Sequence, residues 1–182
     1  MARFLNIATL QWREDDGTGL ARDGELRNPD LSQVDGVPVK HWKVVDGVVV
    51  EMSQQEKDSV VDSELLAAKE SRIAAINAKT AALVTAGIEV ESGKVISTSI
   101  AASQNLQDIA ISISLGMPSP FPQKISTLDE GVYEIQDAAD FARIASLIKS
   151  QKKTIMEAGQ DLRLQVLAAT TLAEVDAVED SR

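Results

Sequence analysis

The longest pattern in the chain runs from Ser53 to Gly87, where about thirty residues pass without proline or glycine. Leu66, Ile73, Ile76 and Leu83 recur at sevens and threes, interrupted by Lys69 and Thr80. This spacing predicts one long helix. Ser53 and Glu56 have the spacing of a capping box, hydroxyl to the Glu56 N–H and carboxylate back to the Ser53 N–H. Gly87 suits the left-handed residue that closes a helix. At 1.5 Å per residue the rod would be roughly 50 Å long. A second stretch repeats the pattern with a cleaner heptad: Phe141, Ile148, Ile155, Leu162 and Ala169 fall at sevens, with Ile144 and Ala158 between them. Gln151 and Gln165 are polar on the same seam, and Gly159 should weaken the rod by about 1 kcal/mol against alanine. Asp137 is placed to cap this helix, with Asp140 in its first turn, where the helix dipole favours a carboxylate. Thr170-Thr171 can end it and cap a short closing helix, Leu172 to Val178. Antiparallel packing of two rods of similar length is the simplest burial of their stripes. The alternative is pairing between copies in a coiled coil, but Lys69 and Thr80 suit globular packing better.

Elsewhere the period shortens to two. Phe4 to Trp12 reads as a strand with Phe4, Asn6, Ala8, Leu10 and Trp12 on one side and Leu5, Ile7 and Thr9 on the other, covered on both faces. Arg13 to Gly36 mixes glycines with seven acidic residues and reads as an extended arm with little core of its own. Val39 to Met52 is a hairpin around Asp46-Gly47, a dipeptide favoured in type I′ turns. Its two-residue loop pairs Val45 with Val48, Val44 with Val49 and Trp42 with Glu51. A second hairpin is predicted around Ser92-Gly93 (Ile88–Glu91 with Lys94–Ser97) and a third around Asp129-Glu130-Gly131 (Lys124–Thr127 with Val132–Ile135). Between them, Ser99 or Thr98 can cap a helix reaching Leu115, with Leu106, Ile109, Ala110 and Ile113 at helical spacing and Gly116 as its stop. The alternation Ile109, Ile111, Ile113, Leu115 also fits a strand; the capping favours the helix. Met117-Pro-Ser-Pro-Phe-Pro is a break. The expected class is α+β, mainly α. It comprises a strand and arm over 1–36, a hairpin over 37–52, and a helical domain with two small hairpins over 53–182.

Composition sharpens this picture. Aromatic residues supply only 3% of the chain, so its core must be aliphatic and rich in alanine. A net charge of −10 argues against nucleic acid as a direct partner, since phosphate binding needs a basic footprint. With no cysteine, disulfides and thiolate metal sites are excluded. No apolar run approaches the ~20 residues of a membrane helix, so a soluble chain without a membrane partner is expected.

Candidate chemistry is sparse. His41 is the only histidine, and a hairpin histidine is more often a cross-strand neighbour than a ligand. Glu14-Asp15-Asp16 could hold calcium, but such loops are usually only solvated. Ser97, Ser99, Ser103, Ser112 and Ser114 lack a Gly-x-Ser-x-Gly elbow and a base. The glycines form no phosphate cradle, so no cofactor is implied. Lys149, Lys152 and Lys153 make a basic patch that reads best as a solvated helix face. The chain is therefore expected to be non-enzymatic. Its candidate interface residues are Phe4, Ile7, Leu10, Trp12, Trp42, Phe141, Ile148 and Ile155.

Two stretches carry a resemblance. Lys40-His-Trp-Lys-Val-Val-Asp-Gly-Val-Val-Val-Glu-Met-Ser-Gln-Gln-Glu-Lys resembles the strand, Asp-Gly, strand, helix module recurrent in bacteriophage tail and virion proteins. From Ala67-Ala-Lys-Glu-Ser-Arg to Val178 the chain is similar to an uncharacterised domain found at the C-terminal ends of phage tail-fibre and related structural proteins, with Ala168-Ala169-Thr170-Thr171-Leu172-Ala173-Glu174-Val175 as its closing piece. The resemblance implies a virion structural protein of the tail or fibre, made in the host cytoplasm. Its partners would be other phage tail or virion proteins, with further copies of itself as a second option. It would act as an adaptor or short fibre or, alternatively, as an assembly chaperone not retained in the particle. Attachment would use strand addition through Phe4 to Trp12, and removing residues 1–36 should spare the helices but abolish incorporation.

Overall fold

The computed structural model describes residues 2–15, 17, 19–117, 121–129 and 131–182. Asp16 of the acidic loop, Pro118–Pro120 of the proline break and Glu130 of the third turn lie outside the described residues, as do Met1 and Thr18. The protein is mixed α/β, with short antiparallel strand pairs and helix as the larger share. It divides into two compact units, Met1–Ala67 and Ala68–Arg182. The division falls inside the longest helix, α1 (Gln54–Thr85).

The first unit is built on a three-stranded sheet of order β2-β1-β3: β1 (Arg3–Asn6), β2 (Trp12–Glu14) and β3 (Glu25–Arg27). The single strand predicted over Phe4 to Trp12 is instead a hairpin, with Phe4 opposite Arg13 and Leu5 opposite Trp12. Asn6 makes the difference. Its side-chain oxygen accepts from the N–H groups of Ala8 (3.0 Å) and Thr9 (2.9 Å), and its carbonyl accepts from Leu10 N–H. An asparagine that binds its own backbone two and three residues on offers the chain a turn in place of a ladder. Leu10 completes the turn at a φ of 54°. Since β1 is paired on both sides, strand addition through it is excluded.

Adjacent residues of β1 point to opposite faces, and both Phe4 and Leu5 are fully buried, as the two-sided pattern requires. Leu5 packs with Val34, Trp42 and Val49. The Arg13 guanidinium lies 4.4 Å from the centre of the Phe4 ring. Val34 corrects the reading of Arg13 to Gly36 as an arm with little core: it is 1% exposed in the middle of this cluster. Acidic residues and glycines masked one well-placed valine. The hairpin β4 (Trp42–Val45) and β5 (Val48–Glu51) has the predicted register, and the Trp42 indole donates to the Val37 carbonyl at 2.9 Å. Helix α1 starts with the expected capping box: Ser53 N–H donates to the Glu56 carboxylate at 2.7 Å, and Glu56 N–H to Ser53 Oγ at 3.4 Å.

The second unit begins within α1. It continues through the hairpin β6 (Ile88–Glu91) and β7 (Lys94–Ile96), helix α2 (Ile100–Ser114) and the hairpin β8 (Gln123–Ser126) and β9 (Val132–Ile135). Helices α3 (Ala138–Ala168) and α4 (Leu172–Ala177) complete it. Ser99, Asp137 and Thr171 cap α2, α3 and α4, Thr171 with a full capping box to Glu174. Gly87, at a φ of 95°, turns the chain out of α1 in tight quarters: a Cβ there would meet the Ile96 carbonyl at 2.6 Å. The two hairpins join where Leu128 N–H donates to the Val95 carbonyl. The core here gathers Ile88, Ile96, Ile109, Ile135 and Ile144 with the aromatic Tyr133 and Phe141; isoleucine and not alanine supplies most of it, which corrects the expectation of an alanine-rich core.

Along α3 the buried face departs from the heptad. Ile148, Ile155 and Leu162 are half-buried, whereas Val166, which is not on the sevens, is fully buried. A straight helix at 3.6 residues per turn drifts by ~20° per heptad, so the inward face moves from Ile155 toward Gly159 and Val166. On α1 Ile76 is fully buried, but Leu66 is 59% exposed.

Candidate functional site

The polar residues that interrupt the α1 stripe make specific connections. Lys69 Nζ donates to the Leu167 carbonyl at 2.9 Å, in the last turn of α3, where four carbonyls lack helical partners. Arg163 donates to the Asn77 side chain at 3.3 Å. Thr80 Oγ1 donates to the Ile76 carbonyl and accepts from Arg182 Nη2 at 3.0 Å. The Arg182 guanidinium also donates to the Ile155 carbonyl at 3.0 Å and forks onto the Asp180 carboxylate, with its shortest bond 2.6 Å long. Arg182 holds the Asp180 carboxyl far below the ordinary range, with Lys79 adding 3.5 Å away. Arg72 donates to the Val178 and Asp176 carbonyls. Residues 176–182 are thus stitched to α1 and α3.

Gly159 lies at the centre of these contacts and corrects the reading of it as a weak point. It is buried, and a Cβ would come within 2.5 Å of Thr80 Oγ1 and 2.9 Å of Arg182 Nη1. The missing side chain is what lets α3 approach Thr80. Sequence spacing marked Lys69 and Thr80 as breaks in a stripe, and no local signal announced that Gly159 and Arg182 would meet Thr80.

The predicted interface residues scatter. Phe4 and Trp42 are buried in the first unit, and Leu10 packs on the cluster around Leu5. Ile7 and Trp12 are 40% and 37% exposed, with the Arg3 guanidinium 5.3 Å from the Trp12 ring centre. These two remain open apolar positions in that unit. Ile155 lies beside the Arg182 contact through its carbonyl. Phe141 and Ile148 come together in an apolar depression of about 270 Å³ between α2 and α3. Ser103 and Gln107 also line a second cavity of about 350 Å³, which reaches Val84, Thr98 and Lys152.

A polar cluster links β9, α3 and β6. Tyr133 Oη donates to the Asp140 carboxylate at 3.0 Å and accepts from Arg143 Nη2 at 2.8 Å, while Arg143 Nη1 donates to the Val90 carbonyl. Burial, then Asp140, pushes the Tyr133 hydroxyl up. Burial would raise Asp140 too, but its bonds from Arg143 and Tyr133 outweigh that and leave it below the ordinary range. Among the described residues no group of His, Asp and Glu side chains could hold a metal ion. No helix among them is long and apolar enough to cross a membrane.

Two carboxylates of the first unit carry a pH dependence. Glu25 is lowered from 4.5 to about 2 by the Arg13 guanidinium and the Arg22 N–H. Glu56 is lowered to about 2 by Lys43 and by Ser53. A carboxylate whose folded value lies below its unfolded value contributes stability above the unfolded value and loses it as pH falls. The first unit should therefore lose stability between pH 4.5 and about 2. Thermal melts followed by Trp fluorescence across that window should show the fall, and Glu25→Gln should reduce it while leaving the part due to Glu56.

The chain is thus mixed α/β, with helices and short antiparallel hairpins in each of its two units. Residues 67–179 match the family model described as a domain of unknown function, DUF4376, and the chain belongs to that family. No curated protein and no solved structure matches the chain.

Proposed function

We propose that this chain is a non-enzymatic structural protein of a bacteriophage particle, a tail-associated adaptor or short fibre that joins or spaces neighbouring virion proteins. In this reading it is made in the host cytoplasm and resides in the tail or fibre region. The pairing of α1 with α3 carries the proposal. The contacts run in opposite order along the two helices, 69 with 167, 77 with 163 and 80 with 159, which supports an antiparallel arrangement within the second unit. α3 alone rises about 46 Å. A braced pair of this kind resists bending, which a spacer needs, and the resemblance of residues 40–57 and 67–178 to virion modules supplies the setting. With β1 occupied, main-chain pairing to a neighbour would use the outer edges of β2 or β3, next to the exposed Trp12.

Quantitative mass spectrometry of purified particles tests the proposal. A structural component is present in fixed stoichiometry with the tail proteins. Presence in the infected-cell lysate together with absence from finished particles would replace the proposal with the assembly-chaperone reading. Turnover of a substrate by the isolated chain would contradict both.

A further inference from the structure

We infer that the groove between α2 and α3 is a docking site for an acidic amphipathic helix of a partner protein. Its floor is apolar, formed by Leu106 and Ala110 of α2 and Phe141, Ala145 and Ile148 of α3. It continues past Ser103 and Gln107 into the cavity bounded by Val84, Thr98 and Lys152. From Phe141 to Lys152 the α3 wall is about 16 Å long, room for about three turns of a docked helix. The cavities of about 270 and 350 Å³ accept anchoring side chains and lie on either side of the ~300 Å³ lower limit for small-molecule pockets.

Charge specifies the occupant. Lys149 and Lys152, three positions apart and so on one helix face, stand on the α3 rim, and no carboxylate lines either cavity. In a chain with 28 acidic residues against 18 basic ones, lysines would readily find partners. Lys149 nevertheless forms no hydrogen bond or ion pair among the described residues, and Lys152 reaches only the Thr98 carbonyl, at 3.4 Å. By contrast Lys153, one residue on, pairs with Glu157. Two ammonium groups without counter-charges beside an apolar floor match a helix with apolar anchors at i, i+3/i+4 and i+7 and carboxylates along its flank. The inference does not depend on the virion reading, because it concerns the chemistry of the groove alone.

The test uses the full chain and fluorescein-labelled synthetic helical peptides of about twelve residues. Each carries Leu, Phe or Trp anchors and flanking Glu, and is matched by a counterpart with Lys in place of Glu. Anisotropy titrations should show the acidic series binding at least ~10-fold more tightly than the basic series, with affinity falling as salt rises from about 50 to 500 mM. Lys149→Glu with Lys152→Glu should weaken the acidic peptides by at least ~10-fold and reverse the preference. Ala110→Trp, an exposed position that fills the groove, should abolish binding while leaving the melting temperature unchanged. Equal binding of both series, binding that survives the double reversal, or no binding by any peptide would overturn the inference. So would dodecanoate binding where no peptide binds, which would assign the groove to acyl carboxylates.

Discussion

Gly159→Leu is expected to destabilise the second unit by about 2 kcal/mol or more. Helix propensity alone predicts the opposite sign, a gain of about 0.8 kcal/mol, because glycine is the poorest helix former after proline. Against this stands the contact at Thr80: the first added carbon would sit 2.5 Å from Thr80 Oγ1 and 2.9 Å from Arg182 Nη1. Overpacking of this kind costs about 1–3 kcal/mol, and more where the neighbour cannot yield. Thr80 cannot easily yield, since its hydroxyl is held by the Ile76 carbonyl and by Arg182. A double-mutant cycle isolates the cause. Gly159→Ala should destabilise the native protein but become neutral or stabilising in a Thr80→Ala background, where only the end of the flexible Arg182 side chain, freed from Thr80, still opposes the propensity gain. Urea denaturation of the four chains measures the coupling. A Gly159→Ala effect that is unchanged by Thr80→Ala would show that the two helices do not meet there.

The second large effect is expected at Ile144. It is fully buried among Tyr133, Ile135 and Phe141, so truncation to alanine removes three carbons from a closed cluster and leaves a cavity. Large-to-small changes at such sites cost about 2–5 kcal/mol. Leu147, one turn away and 40% exposed, should lose only about 0.5 kcal/mol on the same substitution. Both losses should be independent of protein concentration. A loss at Ile144 that grows on dilution would mean that this stripe is buried between copies.

Much of this architecture is written locally. Ser53 with Glu56, Ser99, Asp137 and Thr171 with Glu174 fix the helix starts through side chains that reach only three residues. Asp46-Gly47 and Ser92-Gly93 fix two hairpins in the same way, both through residues at positive φ. The N-terminal turn was not legible as periodicity, because Asn6 occupies a place in the alternation that a strand residue could also hold. The core role of Val34 and the buried position of Val166 depend on which distant residues arrive, and heptad counting misplaces the latter by the drift of an unsupercoiled helix. Least legible was the cluster of Thr80, Gly159 and Arg182. Its members lie far apart in the chain, and each taken alone resembles a defect or a loose end. Of the candidate interface residues, Phe141 and Ile148 converge on one groove, while Phe4 and Trp42 serve the core because large apolar side chains in short strands are used where burial is deepest.

The pairing proposed for α1 and α3 is tested most directly by spin-label distances. The chain contains no cysteine, so labels can be placed at will. Double electron–electron resonance should be recorded on Glu70→Cys/Leu167→Cys, Thr85→Cys/Thr154→Cys and Glu70→Cys/Thr154→Cys, all at exposed positions, with each labelled chain diluted in unlabelled protein. The account predicts short distances for the first two pairs and a third longer by about 10 Å or more, because the intervening turns offset its labels by about 20 Å along the helix axis. It also predicts that none of the three changes on dilution. A long 70–167 distance, or short distances that vanish when labelled chains are diluted, would contradict it.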